Sequence, residues 1–150
     1  MEARVYANKS WQHIGKVTED GKIYAEGEWC FRDNQRADRT CNASGRSDSK
    51  GNYWPTPVSD DDGCPYKGPD AKVGQLVMKD GENGDPQGYD QVGFQVTKGM
   101  DVWMTINDDY FDNNDGYLDL RFVSKSDSWN TGQRILSDAE KGISQKGASA

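Results

Sequence analysis

The stretch VWMTINDDYFDNNDGYLDLRFV, residues 102–123, carries the strongest structural signal in the chain. Apolar and polar side chains alternate on both sides of its acidic centre. The apolar positions are Val102, Met104, Ile106, Leu118, Leu120 and Phe122. A period of two is typical of strands that are buried on one face. The stretch therefore predicts two strands that share a core, joined by a polar loop.

The loop between these strands, residues 107–116, is dense in acids and amides. It holds four aspartates and three asparagines, and it contains no Lys or Arg. Carboxylates crowded on a short loop repel one another, and a divalent cation offsets that repulsion. Carboxylate, amide and main-chain oxygens are the ligands that calcium takes in proteins. The alternative is a solvated turn, since Asp, Asn and Gly are ordinary turn residues. We expect a calcium site, because the acid density exceeds what a turn requires.

The acidic loop does not match an EF-hand. If Gly116 takes the place of the invariant glycine, Phe111 and Phe122 occupy positions that require an oxygen ligand. The repeated Gly-Gly-x-Gly-x-Asp motif of calcium-binding β-helices is also absent from the sequence. The ligands would therefore come from one dense loop together with a segment that is distant in sequence.

Composition indicates a folded, loop-rich β-protein. The 150 residues suit one domain. Only 33% are hydrophobic, yet the chain carries five Trp, seven Tyr and four Phe. Disordered chains are poor in aromatic residues. Seventeen glycines and few long apolar runs favour many short strands.

The charge of the chain argues against two classes of partner. A net charge of -7 disfavours nucleic acid and anionic membranes, because both require a basic surface. No run approaches the ~20 apolar residues of a transmembrane helix, so membrane insertion is not expected. The first residues lack the apolar core of a signal peptide. We expect an extracellular or cell-surface protein that is cytoplasmic before release and has no recognisable signal peptide.

Cysteine and histidine usage disfavours a zinc site. The three cysteines, Cys30, Cys41 and Cys64, form no C-x-x-C motif, and His13 is the only histidine. Cys41 and Cys64 lie in polar loop sequence, where they could pair, whereas Cys30 lies in a predicted strand. We expect His13 to be an exposed strand residue, which leaves no histidine-based catalytic triad in easy reach.

Alternation marked off by turns recurs along the chain and predicts about eight short strands. The clearest are residues 3–7, 11–18, 22–31, 73–79, 92–96, 102–106 and 117–123. We predict an all-β fold, an antiparallel jelly-roll-like β-sandwich over residues 1–123. Residues 124–150 would form a polar C-terminal tail, with one or two helical turns over residues 135–141.

The long segment 32–72 shows no sustained period. About 40 residues without regular structure are unusual in a compact domain, and such loops are often functional. It contains Tyr53 and Trp54, and further on Asp60 and Asp61. Exposed rings beside acids suit sugar recognition, because a ring covers the apolar face of a sugar while polar groups bind its hydroxyls. The alternative is that Trp54 simply packs the loop onto the sandwich.

Several short motifs occur together in this chain. They are Val5-x-Ala7, a strand that ends in Gly27-x-Trp29, the run GQLVMK at 74–79, and Asn107-Asp108 followed by Asn113-Asn114-x-Gly116. Over residues 3–123 this pattern resembles the calcium-dependent galactose-binding lectins of the PA-IL (LecA) type. The GQLVMK run and the Asn-Asp…Asn-Asn-x-Gly loop are its specific parts.

The resemblance implies a small β-sandwich with one calcium that directly coordinates two sugar hydroxyls. It places Asp108, Asn113 and Asn114 as side-chain ligands. It also implies a main-chain carbonyl near Asp112 and another near Arg32. Among the remaining acids, Asp109 and Asp115 are alternatives to Asp112.

Three classes of function follow. The first is non-enzymatic, calcium-dependent binding of glycans, with galactosides as the main candidates. The sugar would contact Asp108 and Asn113, while Asp60, Asp61, Trp54 and Tyr53 would select it. The second is a structural or interaction subunit of a larger assembly with a purely structural calcium; a homo-oligomer fits either class. The third, a glycoside hydrolase, is disfavoured because no acid lies in an evidently apolar setting.

Overall fold

A computed structural model describes residues 4–31, 40–46, 58 and 63–126 of the protein. These residues form ten strands. They are β1 (Arg4–Tyr6), β2 (Gln12–Lys16), β3 (Gly21–Glu26), β4 (Trp29–Cys30), β5 (Thr40–Cys41), β6 (Leu76–Asp80), β7 (Gln87–Gly88), β8 (Phe94–Val96), β9 (Asp101–Ile106) and β10 (Asp115–Ser124). Within the described part, no helix has the length and apolarity to span a membrane.

The strands form two antiparallel sheets. The first has the order β5-β4-β10-β3-β8, and β1 also pairs with β10. Strand β10 lies between β1 and β3, because Asp119 of β10 pairs with Arg4 of β1 on one side and with Glu26 of β3 on the other. The second sheet has the order β2-β9-β6-β7. The prediction of an all-β antiparallel sandwich is therefore confirmed.

The inner faces of both sheets enclose one apolar core. Val102, Met104 and Ile106 of β9 are fully buried, as predicted from their alternation. Leu118 of β10 is also fully buried, and Leu120 and Phe122 pack against the same core from its partly buried margin. Alternation thus identified correctly which faces of β9 and β10 point inward.

The predicted single strand over residues 22–31 is wrong, because the structure divides it into β3 and β4. Gly27 separates the two with φ at +107°, a conformation that favours glycine. Both pieces nevertheless pair with β10 in one register, with Glu26 opposite Asp119 and Cys30 opposite Asp115. The break therefore interrupts the strand without shifting its register, and Trp29 remains in the core.

Two short strands lie where no strand was predicted. Strand β5 lies within the segment 32–72, and β7 lies in the Gly- and Pro-containing stretch 82–89. Each is two residues long and pairs with the strand that precedes it in the chain, β5 with β4 and β7 with β6. Two residues are too few to show alternation, so sequence periodicity could not find them.

The structure corrects two expectations about the cysteines. Cys41 is on strand β5 rather than in a polar loop, and it is fully buried. The structure shows no disulfide among Cys30, Cys41 and Cys64. Burial raises the pKa of the Cys41 thiol, which keeps it protonated and unreactive. Cys30 is on β4, as predicted.

His13 is an exposed residue of strand β2, as expected. Its Nε2 lies 2.6 Å from Asp101 Oδ1 on the neighbouring strand β9, and its ring lies 4.7 Å from that of Trp103. This contact holds the pKa of the Asp101 carboxyl below its usual value. The predicted helical turns over 135–141 lie outside the described residues.

Candidate metal centre

The acidic loop connects β9 of one sheet to β10 of the other, so it crosses between the two layers of the sandwich. It is therefore not a hairpin loop. Phe111 packs against the core, and the Asn114 backbone N–H donates to the Phe111 carbonyl over 3.0 Å. At the end of the loop, Gly116 faces Trp29 with φ at +90°. Both ends and the middle of the loop are thus fixed to the sandwich.

Asp108 is the one acid of this loop that lies inside the protein, with 7% of its surface exposed. Its Oδ1 accepts a hydrogen bond of 2.8 Å from the Asp109 backbone N–H. Its Oδ2 is buried without a hydrogen-bond partner. Burial raises the pKa of Asp108 to about 6, and the Asn114 side chain and the Asp109 N–H partly oppose that rise. A buried carboxylate oxygen without a partner is costly, and a bound cation would remove that cost.

Asn114 presents a second oxygen of the same kind. Only 3% of the residue is exposed, and its Nδ2 donates to the Ala7 carbonyl over 2.9 Å. That hydrogen bond fixes the amide so that Oδ1 is left buried without a partner. Among the residues that the structure describes, Trp103 Nε1 is the third buried side-chain atom of this kind. Two of the three are thus acceptor oxygens at the same loop, on predicted calcium ligands.

The other predicted ligands of the loop lie nearer the surface. Asp109 and Asp112 are exposed, and Asn113 is half-buried. Asp115 is the first residue of β10 and pairs with Cys30 in the sheet. The structure therefore separates one internal acid, Asp108, from three acids at the rim.

Two further contacts bring distant segments to the loop. A Cβ added to Gly63 would lie 3.1 Å from Asp109 Cβ, so the end of the long segment 32–72 adjoins the acidic loop. Gly74 lies against the Phe31 ring and donates its N–H to the Asn107 carbonyl over 2.9 Å. Arg32, the predicted main-chain ligand, follows Phe31 in the chain. Arg32 itself lies outside the described residues, as do Tyr53, Trp54, Asp60 and Asp61.

Sequence reasoning missed the role of Asn107. Its side chain is fully buried, accepts from the Tyr66 N–H over 2.9 Å, and donates to the Tyr66 and Lys72 carbonyls over 3.0 and 3.1 Å. All of its polar side-chain atoms are thereby satisfied, so it is a structural clamp rather than a free ligand. Its partners are 35 and 41 residues away, and no local pattern could reveal them.

Tyr110 is a second residue that the sequence analysis did not single out. It lies in the loop two residues after Asp108 and is 55% exposed. The next residue, Phe111, is turned toward the core instead. The structure therefore leaves one aromatic ring on the outside of the acidic loop, where it could contact a ligand.

The donor set suits calcium better than zinc or iron. In the part of the chain that the structure describes, no group of three or more His, Cys, Asp or Glu side chains is placed to hold a metal. A site at Asp108 would instead combine one carboxylate with amide and main-chain oxygens. Calcium accepts such mixed oxygen shells, whereas zinc prefers nitrogen and sulfur.

The raised pKa of Asp108 predicts how stability depends on pH when calcium is chelated. Its folded-state pKa of about 6 lies above the ordinary pKa of 3.8 for an aspartate, so this carboxyl binds more protons in the folded protein than in the unfolded chain between these values. The contribution of Asp108 to stability in EDTA should therefore fall as pH rises from about 4 to about 6. Urea unfolding at several pH values would measure it. Asp108→Asn should lack this component, and equal slopes for the two proteins would contradict the prediction.

Comparisons of this chain with protein-family models, with curated proteins and with solved structures found no match.

Proposed function

We propose that this protein is a calcium-dependent carbohydrate-binding domain whose ion directly coordinates sugar hydroxyls. One observation carries the proposal: two buried oxygens, Asp108 Oδ2 and Asn114 Oδ1, lack hydrogen-bond partners beneath the acidic loop. The sequence resemblance independently implies that both residues are calcium ligands. Acceptor oxygens without donors are what a hard cation requires.

The ligands divide into an inner and an outer group. Asp108 and Asn114 would bind the ion from the inside of the sandwich, where packing holds them in place. Asn113 and the main chain near Asp112 would bind it from the rim. Calcium takes six to eight oxygens, so positions on the solvent side can accept two neighbouring sugar hydroxyls.

Aromatic and acidic side chains around the rim would select the sugar. Tyr110 is exposed on the loop itself and can stack on the apolar face of a sugar ring. Gly63 adjoins Asp109 at the same rim. Asp60 and Asp61 are candidates for selecting the sugar from the sequence alone. The chemistry requires binding and orientation only, and we therefore propose no catalytic residue.

The deep burial of Asp108 and Asn114 also favours a second candidate, a structural calcium in a subunit of a larger assembly. If protein groups cap the outer positions, the ion stiffens the loop and no sugar reaches it. The two candidates differ in one measurable property, since only the first makes sugar binding depend on calcium.

Titration calorimetry tests the proposed function. Calcium should bind first, and galactosides from a monosaccharide panel should then bind only in its presence. We expect Tyr110→Ala to weaken sugar binding about fivefold, since ring contacts of this kind contribute about 1 kcal/mol, while calcium affinity is unchanged. Tyr117→Ala is the matched control, because Tyr117 is 39% exposed and its ring lies under the Arg4 guanidinium on strand β10, outside the loop. Calcium binding without any sugar binding, on the panel or on a glycan array, would favour the structural candidate.

A further inference from the structure

The structure contains a cavity of about 450 Å³. None of the proposed calcium ligands lines it. We call it the side pocket. Its lining includes Ser44, Arg46, Tyr66, Lys72 and Gln75, together with two acids, Asp70 and Asp90. Its volume is in the range of small-molecule sites in proteins.

Gln75 holds two walls of the side pocket together. The residue is buried at 6% exposure, and its Oε1 accepts from the Lys72 backbone N–H over 3.1 Å. Its Nε2 donates to the Tyr89 carbonyl over 2.8 Å. On a third side, the Ser44 and Arg46 backbone N–H groups both donate to the Asn42 side chain. The walls are therefore fixed before any ligand arrives, which lowers the entropic cost of binding.

Two glycines allow these walls to approach so closely. A Cβ on Gly88 would lie 2.6 Å from both the Tyr66 ring and Gln75 Nε2. A Cβ on Gly45 would lie 2.9 Å from Lys72 Cβ, and Gly45 also has φ at +73°. The shape of the side pocket thus depends on positions where any side chain would clash.

The side pocket is joined to the proposed calcium site through Asn107. The Asn107 side chain bonds to Tyr66 and Lys72, and its backbone N–H donates to the Gln75 carbonyl over 2.7 Å. All three partners line the side pocket. Since the next residue is Asp108, one asparagine separates the wall of the side pocket from the internal calcium ligand.

The side pocket combines cationic and acidic groups, since Arg46 and Lys72 line it together with Asp70 and Asp90. Arg46 and Lys72 both line it, and among the described residues neither forms an ion pair with a carboxylate. The Lys72 ammonium donates to the Asp70 carbonyl over 2.9 Å and has further donors to offer. The two cations can bind an anionic group of a ligand, while the two carboxylates of the lining can accept hydrogen bonds from its hydroxyls, so the side pocket suits a ligand that carries both kinds of group.

Other groups of the side pocket suit the rest of a sugar. Tyr66 is half-buried and places its ring in the wall. Asp90 and Ser44 supply oxygens that can accept from hydroxyls. A cavity of this size is also much larger than a simple inorganic anion requires.

We propose that the side pocket binds a hexose unit bearing an acidic substituent, a carboxylate or a sulfate, with that substituent at Arg46 and Lys72. The choice of a sugar as ligand rests on the function proposed above. The site itself does not, because none of its lining residues is a proposed calcium ligand.

The test compares three sugars that differ only at carbon 6: galactose, galacturonic acid and galactose 6-sulfate. Titration calorimetry in calcium should show that at least one acidic sugar binds about tenfold more tightly than galactose, as charge-assisted hydrogen bonds predict. The arm that gains affinity identifies the acidic group. The double variant Arg46→Gln/Lys72→Gln should lose this preference and keep its affinities for calcium and galactose. Lys98→Gln/Lys125→Gln, which removes the same charge from two exposed positions, should keep the preference.

Two results would overturn the side pocket: equal binding of all three sugars by the wild-type protein, or a preference that survives in the Arg46→Gln/Lys72→Gln variant. Binding of inorganic sulfate as tight as that of the acidic sugars would overturn a sugar as its ligand. The same titrations in EDTA separate the two proposals. An acidic-sugar preference that persists in EDTA and requires Arg46 and Lys72 supports the side pocket. Galactose binding that is equally tight in calcium and in EDTA contradicts calcium-dependent recognition. Calcium-dependent galactose binding without the acidic-sugar preference supports the function proposed above and contradicts the side pocket.

Discussion

Replacing Asp108 with asparagine should weaken calcium binding about a hundredfold. The substitution is nearly isosteric and removes the one carboxylate that the sandwich buries beneath the acidic loop. The affinity of oxygen-ligand sites for calcium varies over orders of magnitude with the charge of the ligands, and a ligand held by packing loses no freedom on binding. Titration calorimetry measures the affinity. Sugar binding should fall in parallel if the sugar is held through the ion.

Asp109→Asn and Asp115→Asn are the matched controls. Each removes one negative charge from the same loop, but Asp109 is exposed and Asp115 pairs in the sheet opposite Cys30. We expect smaller losses of calcium affinity from both. An Asp108→Asn protein with full calcium affinity would show that another carboxylate holds the ion.

The melting temperature of the wild-type protein should rise in millimolar calcium relative to EDTA, because calcium binds only the folded state.

Asn107→Ala should destabilise the protein by about 3 kcal/mol or more. It leaves the Tyr66 N–H and the Tyr66 and Lys72 carbonyls without their partner, and each buried group left unpaired costs about 1–3 kcal/mol. It also removes the clamp that holds residues 66–72 against the end of β9. Urea unfolding in EDTA measures the change without a contribution from bound calcium.

Asn83→Ala is the control for this substitution, since Asn83 lies exposed in the turn after β6. Its effect should stay within about 0.5 kcal/mol. If Asn107→Ala proved as mild as Asn83→Ala, the three side-chain hydrogen bonds of Asn107 would not hold the segment in solution.

The sequence alone determined the fold class and the position of the acidic loop. Alternation at Val102, Met104 and Ile106 depends only on neighbouring residues, because successive side chains of a strand point to opposite faces. The same local rule placed Asp108 just after the end of a buried strand. A high density of Asp and Asn is likewise visible without any structure.

Only the tertiary structure decided how the loop is used. It showed that β9 and β10 belong to different sheets, so that the loop crosses between layers. It distinguished Asp108 from the rim acids by burial. It also brought Asn114 to the Ala7 carbonyl across 107 residues of sequence.

The physical reason is the range of the interactions. Periodicity and composition report the preferences of residues that are adjacent in the chain, and they were sufficient where those preferences agree. Hydrogen bonds such as Asn107 to Tyr66 join segments that meet only when the sandwich closes. Burial is also set by closure, and with it the raised pKa of Asp108 and the oxygens left without donors. The chemistry of the candidate site therefore arises from contacts that no local stretch of the sequence contains.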